Sequence, residues 1–114
     1  MKTVITFDFD GTIGHVAYIQ KLAKCLVIDQ ANEVHIVTRR YNYIHPEHGD
    51  EMTQVYQVAK AVGIKMENVH FTNREYKLLK LQELNADIHY DDDQMEIALI
   101  RQHFPKCKGF VIFM

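Results

Sequence analysis

The chain has no tryptophan and only two cysteines, two prolines and five glycines among its 114 residues. Cys25 and Cys107 stand far apart and in no metal-type spacing, so a cysteine-based metal centre is not expected. They are compatible with one disulfide or with two thiols. The lack of a secretion signal favours thiols in a reducing compartment. The opening MKTVITFDFDG is broken by Asp8 and Asp10 and has neither the apolar length nor the cleavage site of a signal segment. No stretch approaches the roughly 20 apolar residues that a membrane span needs. Charge of one sign is also scarce. The net value is −2 with seven histidines neutral. Such a balance gives no global field toward nucleic acid or anionic lipid, although a local basic site is compatible with it. These absences describe a cytoplasmic protein without a membrane partner. No Pro/Gly/Ser-rich linker, internal repeat or low-complexity run divides residues 1–114, which read as one domain.

What is present is a regular alternation. Thr3 to Phe7 (TVITF) is too densely β-branched and aromatic to be half-exposed, and predicts a central buried strand ending at Asp8. Val16, Ile19, Ala23 and Leu26 recur at helical spacing and predict a helix from His15 to about Asp29. Glu33 to Thr38 reads as a second strand, and residues 39–50 as a loop. Met52, Val55, Tyr56, Ala59 and Val62 define a helix stopped by Gly63. Asn68 to Thr72 follows as a strand. Arg74 to Leu84 follows as a helix with Leu78, Leu81 and Leu84 inward. Asp87 to Tyr90 is a short fourth strand. One of Asp91, Asp92 and Asp93, most naturally Asp93, caps a helix on which Ile97, Ile100 and Phe104 share a face. Phe110 to Phe113 closes the chain as a fifth strand. Strand–helix alternation with short connections implies parallel strands, right-handed crossovers and a three-layer α/β sandwich of Rossmann-like kind.

In open sheets of this type ligands bind at the carboxyl ends of the strands. Asp8 and Asp10 follow the first strand, Thr38 ends the second, Lys77 comes some way after the third, and Asp91 and Asp92 follow the fourth. Four carboxylates brought to one rim repel one another unless a cation is present. An all-oxygen ligand set points to Mg²⁺.

The residues VITFDFDGT (4–12), HIVT (35–38), Lys77 and IHYDDD (88–93) resemble, in that order, the motifs of the haloacid dehalogenase-like superfamily. The resemblance spans nearly the whole chain, and the DFDGT element is its most specific part. It implies a Mg²⁺-dependent phosphomonoester hydrolase in which Asp8 is the nucleophile and forms an aspartyl-phosphate. Asp10 would protonate the leaving oxygen and then deprotonate water. Thr38 would hold the phosphoryl group, with Gly11, Thr12 and Arg39 also on the substrate side. Lys77 would balance charge. Asp91 and Asp92 would hold Mg²⁺ together with Asp8 and the backbone carbonyl of Asp10. An acid at position 10 serves an alkoxide leaving group, which favours phosphatase over dehalogenase chemistry. Lys80 and Arg74 are the rivals of Lys77, with Lys80 the better candidate for solvated surface.

Neither usual place for a cap domain has room for one, so the site is expected to be open. A large substrate, the 39–50 loop or a second subunit would then cover it. That loop carries Arg39, Arg40, Tyr41, Tyr43, His45 and His48. It suits either contact with a phosphate and a base or sugar or a plain solvent-facing connection. Pro46 between His45 and His48, and no following Cys/His partner, argue against zinc. His15 follows the nucleophile motif closely enough to line the site, whereas His35, His70 and His89 read as packed strand residues. The expected substrate is a phosphorylated small molecule or macromolecule. Two alternatives remain: a nucleic-acid end (3′-phosphate) phosphatase, suggested by Thr38-Arg39-Arg40 but not by the net charge, and a non-catalytic phosphate-binding regulatory module. The Asp8/Asp10 pair argues against the second.

Overall fold

The computed structural model describes residues 1–113. Five strands, β1 (Thr3–Phe7), β2 (Asn32–Thr38), β3 (Val69–Phe71), β4 (Ile88–Asp91) and β5 (Lys108–Val111), alternate with four helices. The helices are α1 (Ala17–Ile28), α2 (Thr53–Val62), α3 (Leu78–Glu83) and α4 (Gln94–His103). All strand pairings are parallel, in the order β3-β2-β1-β4-β5. The chain therefore leaves β1 for β2 on one side and later returns to β4 on the other. This reversal lies at the carboxyl ends of β1 and β4, where a crevice is available to a ligand.

Side chains alternate across the sheet, and the two faces feed two hydrophobic clusters. Ile5, Phe7, Val34 and Ile36 pack with Ile19 and Ala23 of α1 and Val55, Ala59 and Val62 of α2. Val4 and Val37 pack with Leu81 of α3 and Ile97 and Ile100 of α4. The second face also carries Thr6 and His89, cross-strand neighbours in register and both fully buried. Asp8 and Asp91 continue that face. Gly63, at φ +90°, ends α2 in the left-handed conformation that glycine adopts without strain.

The expected order of elements is the observed one, and most differences lie at boundaries. The helix expected from Arg74 begins only at Leu78. Asn73 and Arg74 have positive φ, the Arg74 amide donates to Arg39 O, and Thr72 Oγ1 donates to Glu75 O. These bonds close a turn where the apolar spacing suggested helix. Leu81 is buried as expected, and Leu84 packs partly against it. Asp91 belongs to β4 rather than following it, because it pairs with Val111. The same pairing sets β5 two residues earlier than Phe110 and leaves Phe113 exposed outside the sheet. Both cysteines are free. Among the described residues no helix is long and apolar enough to cross a membrane.

Candidate active site

The first loop gives the site its shape. After β1 the chain makes a tight turn over Phe9–Ile13. Gly11, at φ +73°, is favoured here for two reasons. A Cβ would be strained at this left-handed backbone, and it would push against the Asp92 carboxylate, which would have to move aside. The missing side chain is what allows the Asp92 carboxylate to close on the Asp8 loop. Thr12, fully buried, donates its hydroxyl to Asp8 Oδ2 at 3.2 Å. The Asp8 amide donates to Tyr90 O, which ties the loop to β4.

Lys77 is the centre of the cluster. It stands just before α3, is 2% exposed, and places Nζ 2.7 Å from both Asp8 Oδ1 and Asp91 Oδ2. Burial works against its charge, but Asp8 and Asp91 more than compensate and raise its pKa. One ammonium cannot neutralise both acids. Burial, with the Asp91 charge adding to it and Lys77 opposing, pushes Asp8 up to about 8. Burial acts on Asp91 in the same sense, but the His89 hydrogen bond and Lys77 outweigh it and hold Asp91 well below the usual carboxylate range. Lys80, by contrast, pairs with Glu83 at the surface. The structure thus brings Lys77, not Lys80, to Asp8.

Asp10 hydrogen-bonds to none of these residues and is half exposed. Its two oxygens accept from Arg40 Nη2 and Nε at 2.7 and 3.0 Å. Against the cost of burial, this contact holds its carboxyl below the usual range. Thr38 is buried at the end of β2, where its hydroxyl accepts from the Arg40 amide. Arg39 lines the same open depression of about 370 Å³ as Asp8, Asp10, Lys77 and Asp91 to Asp93. Its guanidinium donates to Arg74 O and lies 4.9 Å from the Tyr76 ring. A larger cavity, about 460 Å³, opens around Lys2, Asn32, Gly63 and Asn68 at the opposite ends of the strands. The expected site residues Asp8, Asp10, Arg39, Lys77, Asp91 and Asp92 line the smaller one.

Asp8, Asp91 and Asp92 each offer one oxygen within 4.8 Å of the others, the single such group of three among the described residues. Three carboxylates against one ammonium form an anionic, all-oxygen donor set of the kind that suits Mg²⁺. Asp93 takes the capping role, accepting from the Met95 amide at 2.9 Å.

Three contributors were not in the expected set. Arg40 is one. Glu96, 1% exposed, accepts from the Lys77 amide through Oε1, while Oε2 lies 3.9 Å from Nζ without a hydrogen-bond donor. Burial raises its pKa. Asp93-x-x-Glu96 has the spacing of a capping box, so the sequence signal for Glu96 is that of helix capping; in the folded chain it supports Lys77 instead. The third, His89, was expected only to be packed. It is fully buried and reaches Asp91 Oδ2 through Nε2 at 2.8 Å and Thr6 Oγ1 through Nδ1 at 2.6 Å. Burial lowers its pKa, against the raising effect of the Asp91 hydrogen bond and charge. His15 accepts from the Gly11 amide and braces the turn.

In the 39–50 loop the Tyr41 ring lies 4.6 Å from His45 and 5.1 Å from Tyr43, with Arg74 4.5 Å from its centre. His45 Nδ1 accepts backbone N–H groups of Glu47 and His48. Both imidazoles are thus engaged in the loop's own stacking.

No protein-family model and no curated protein matches the chain. The fold and site define an α/β protein with a carboxylate–ammonium cluster at the switch point of a parallel sheet.

Proposed function

We propose that the chain is a Mg²⁺-dependent phosphomonoester hydrolase of the haloacid dehalogenase-like type, a cytoplasmic three-layer α/β domain with an open, uncapped site. One observation carries this reading: the buried Lys77 ammonium bridges Asp8 and Asp91 at 2.7 Å, with Asp92 beside them. Burying a lysine among acids costs several kcal/mol of desolvation and is weak evidence of a purely stabilising role. It is well suited to a carboxylate that must approach a phosphate dianion.

In this mechanism an Asp8 oxygen attacks phosphorus while the phosphorus–alkoxide bond breaks, giving an aspartyl-phosphate. The leaving alkoxide takes a proton from Asp10. Asp10 then removes a proton from water, which attacks phosphorus and releases inorganic phosphate with Asp8 restored. Thr38, the turn at Gly11 and Thr12, and Arg39 orient the phosphoryl oxygens. Lys77 aims the nucleophile and opposes the effect of burial on its charge. Asp8, Asp91, Asp92 and the Asp10 carbonyl would hold Mg²⁺, which when bound supplies positive charge for the phosphoryl oxygens. The Arg40 ion pair favours the base role of Asp10 and opposes its acid role, so it must open when substrate enters.

The test is hydrolysis of a panel of phosphomonoesters with Mg²⁺ and with EDTA, together with intact-mass detection of a hydroxylamine-labile phosphoenzyme. Turnover that survives in Asp8→Asn overturns the mechanism. A second reading, a nucleic-acid end phosphatase, draws on Arg39, which lines the open depression, and on Arg74 with the aromatic stack around Tyr41. It requires a salt-dependent preference for a phosphorylated oligonucleotide over a free nucleotide.

A further inference from the structure

A chain of buried hydrogen bonds runs from the middle of the sheet into the acid cluster. Thr6 on β1 and His89 on β4 are register partners, and both are fully buried. His89 bridges Thr6 Oγ1 and Asp91 Oδ2 at 2.6 and 2.8 Å. In a neutral ring one nitrogen donates and the other accepts. The nitrogen facing the Asp91 carboxylate must carry the proton, since two acceptors at that distance repel. The Asp91 carboxylate thus dictates the tautomer. The Thr6 hydroxyl, which also lies within hydrogen-bond distance of Ile88 O at 3.1 Å, meets Nδ1 on the other side and braces the ring.

The consequence lies on Asp91. Its Oδ2 accepts from both Lys77 Nζ and His89 Nε2. Its Oδ1 accepts from the Asp93 amide at 3.0 Å. A carboxylate oxygen has two lone-pair sites, so Oδ2 is filled and the remaining acceptor site of Asp91 is on Oδ1. We propose that His89, braced in the sheet by Thr6, is a positioning residue that fixes which oxygen of Asp91 faces a divalent cation. This rests on the Mg²⁺ site of the preceding section. Without the His89 bond, Oδ2 regains a free site, and the carboxylate can turn between Lys77 and the cation.

The experiment measures Mg²⁺ binding by calorimetry on the full chain, with no substrate present, alongside urea unfolding. His89→Leu removes both polar contacts. His89→Gln can place an amide N–H near the Nε2 position. Outer-sphere partners of metal ligands contribute about 10–100-fold in affinity. The expected result is a loss of that order in His89→Leu and substantial recovery in His89→Gln. Thr6→Val should weaken binding in the same direction and Thr6→Ser should restore it, which keeps the test decisive if His89→Leu does not fold. Variants that lose stability yet bind Mg²⁺ as wild type does would show a packing role only and overturn the proposal. Wild-type protein that binds Mg²⁺ but hydrolyses no phosphomonoester would overturn the proposed reaction while leaving the role of His89 standing. Wild-type protein that binds no divalent cation would overturn both.

Discussion

Replacing Lys77 by methionine tests the site's electrostatics without reference to substrate. Methionine preserves much of the apolar stem but deletes an ammonium 2.7 Å from Asp8 and from Asp91 and 3.9 Å from Glu96 Oε2. At an effective dielectric of about 20, each of the two close contacts carries about 6 kcal/mol of attraction. Most of this is returned, because Lys77 no longer has to be desolvated and the acids it leaves behind can take up protons. Removing one partner of a buried pair costs about 3–5 kcal/mol net. Because burial pushes the Asp8 pKa up to about 8 even with Lys77 present, Asp8 is largely protonated at neutral pH and loses less than a full ion pair, so the lower end, about 3 kcal/mol, is expected. With a urea slope of about 2 kcal/mol/M the unfolding midpoint falls by about 1.5 M. Far-UV circular dichroism is the suitable probe, since the chain has no tryptophan. Mg²⁺ at about 100 times its dissociation constant should return up to about 2.7 kcal/mol. Lys80→Met, which loses only a surface pair with Glu83, should cost under about 0.5 kcal/mol. A Lys77→Met loss below about 1 kcal/mol, or an equal loss in Lys80→Met, refutes the reasoning.

Further outcomes are expected at the turn, the general acid and the histidine pair. Gly11→Ala places a Cβ against Asp92 at a positive φ. It should lower stability by about 1–2 kcal/mol and weaken Mg²⁺ binding, both read by urea titration with and without the ion. Asp10→Asn should slow hydrolysis of an alkyl phosphate by about 10²–10⁴-fold. With p-nitrophenyl phosphate, whose leaving group needs no proton, formation of the phosphoenzyme should change far less; an equal loss on both substrates assigns Asp10 some other role. His70 donates to or accepts from His35 at 2.9 Å and is faced by Lys80 and Glu83, with Glu33 beyond His35. Burial, then the His35 and Lys80 charges, lower its pKa from 6.5 to about 4. The folded state therefore prefers the neutral ring. The stability it contributes is present above pH 6.5 and is lost as pH falls through 4. A His70→Phe chain should show a shallower decline of the urea midpoint between those values, and an identical decline would refute the assignment.

The sequence by itself determined the alternation of elements, the central place of TVITF, the stop at Gly63 and the clustering of Asp8, Lys77, Asp91 and Asp92. Apolar runs and strand-end acids are local signals, and in a parallel α/β chain topology carries strand ends to one rim. The family resemblance pointed to Lys77 rather than Lys80, and the fold places Lys77, not Lys80, against Asp8. The assembled fold sets where α3 starts, because the turn at Asn73 and Arg74 is held by Arg39 from another part of the chain. It alone paired Asp10 with Arg40, turned Glu96 from a helix-capping position toward Lys77, and set His89 against Thr6. Each of these depends on strand register and on contacts tens of residues apart, which periodicity does not encode. A buried polar group chooses its partner by the need to satisfy every donor and acceptor away from water, and that choice is made only once the sheet has assembled.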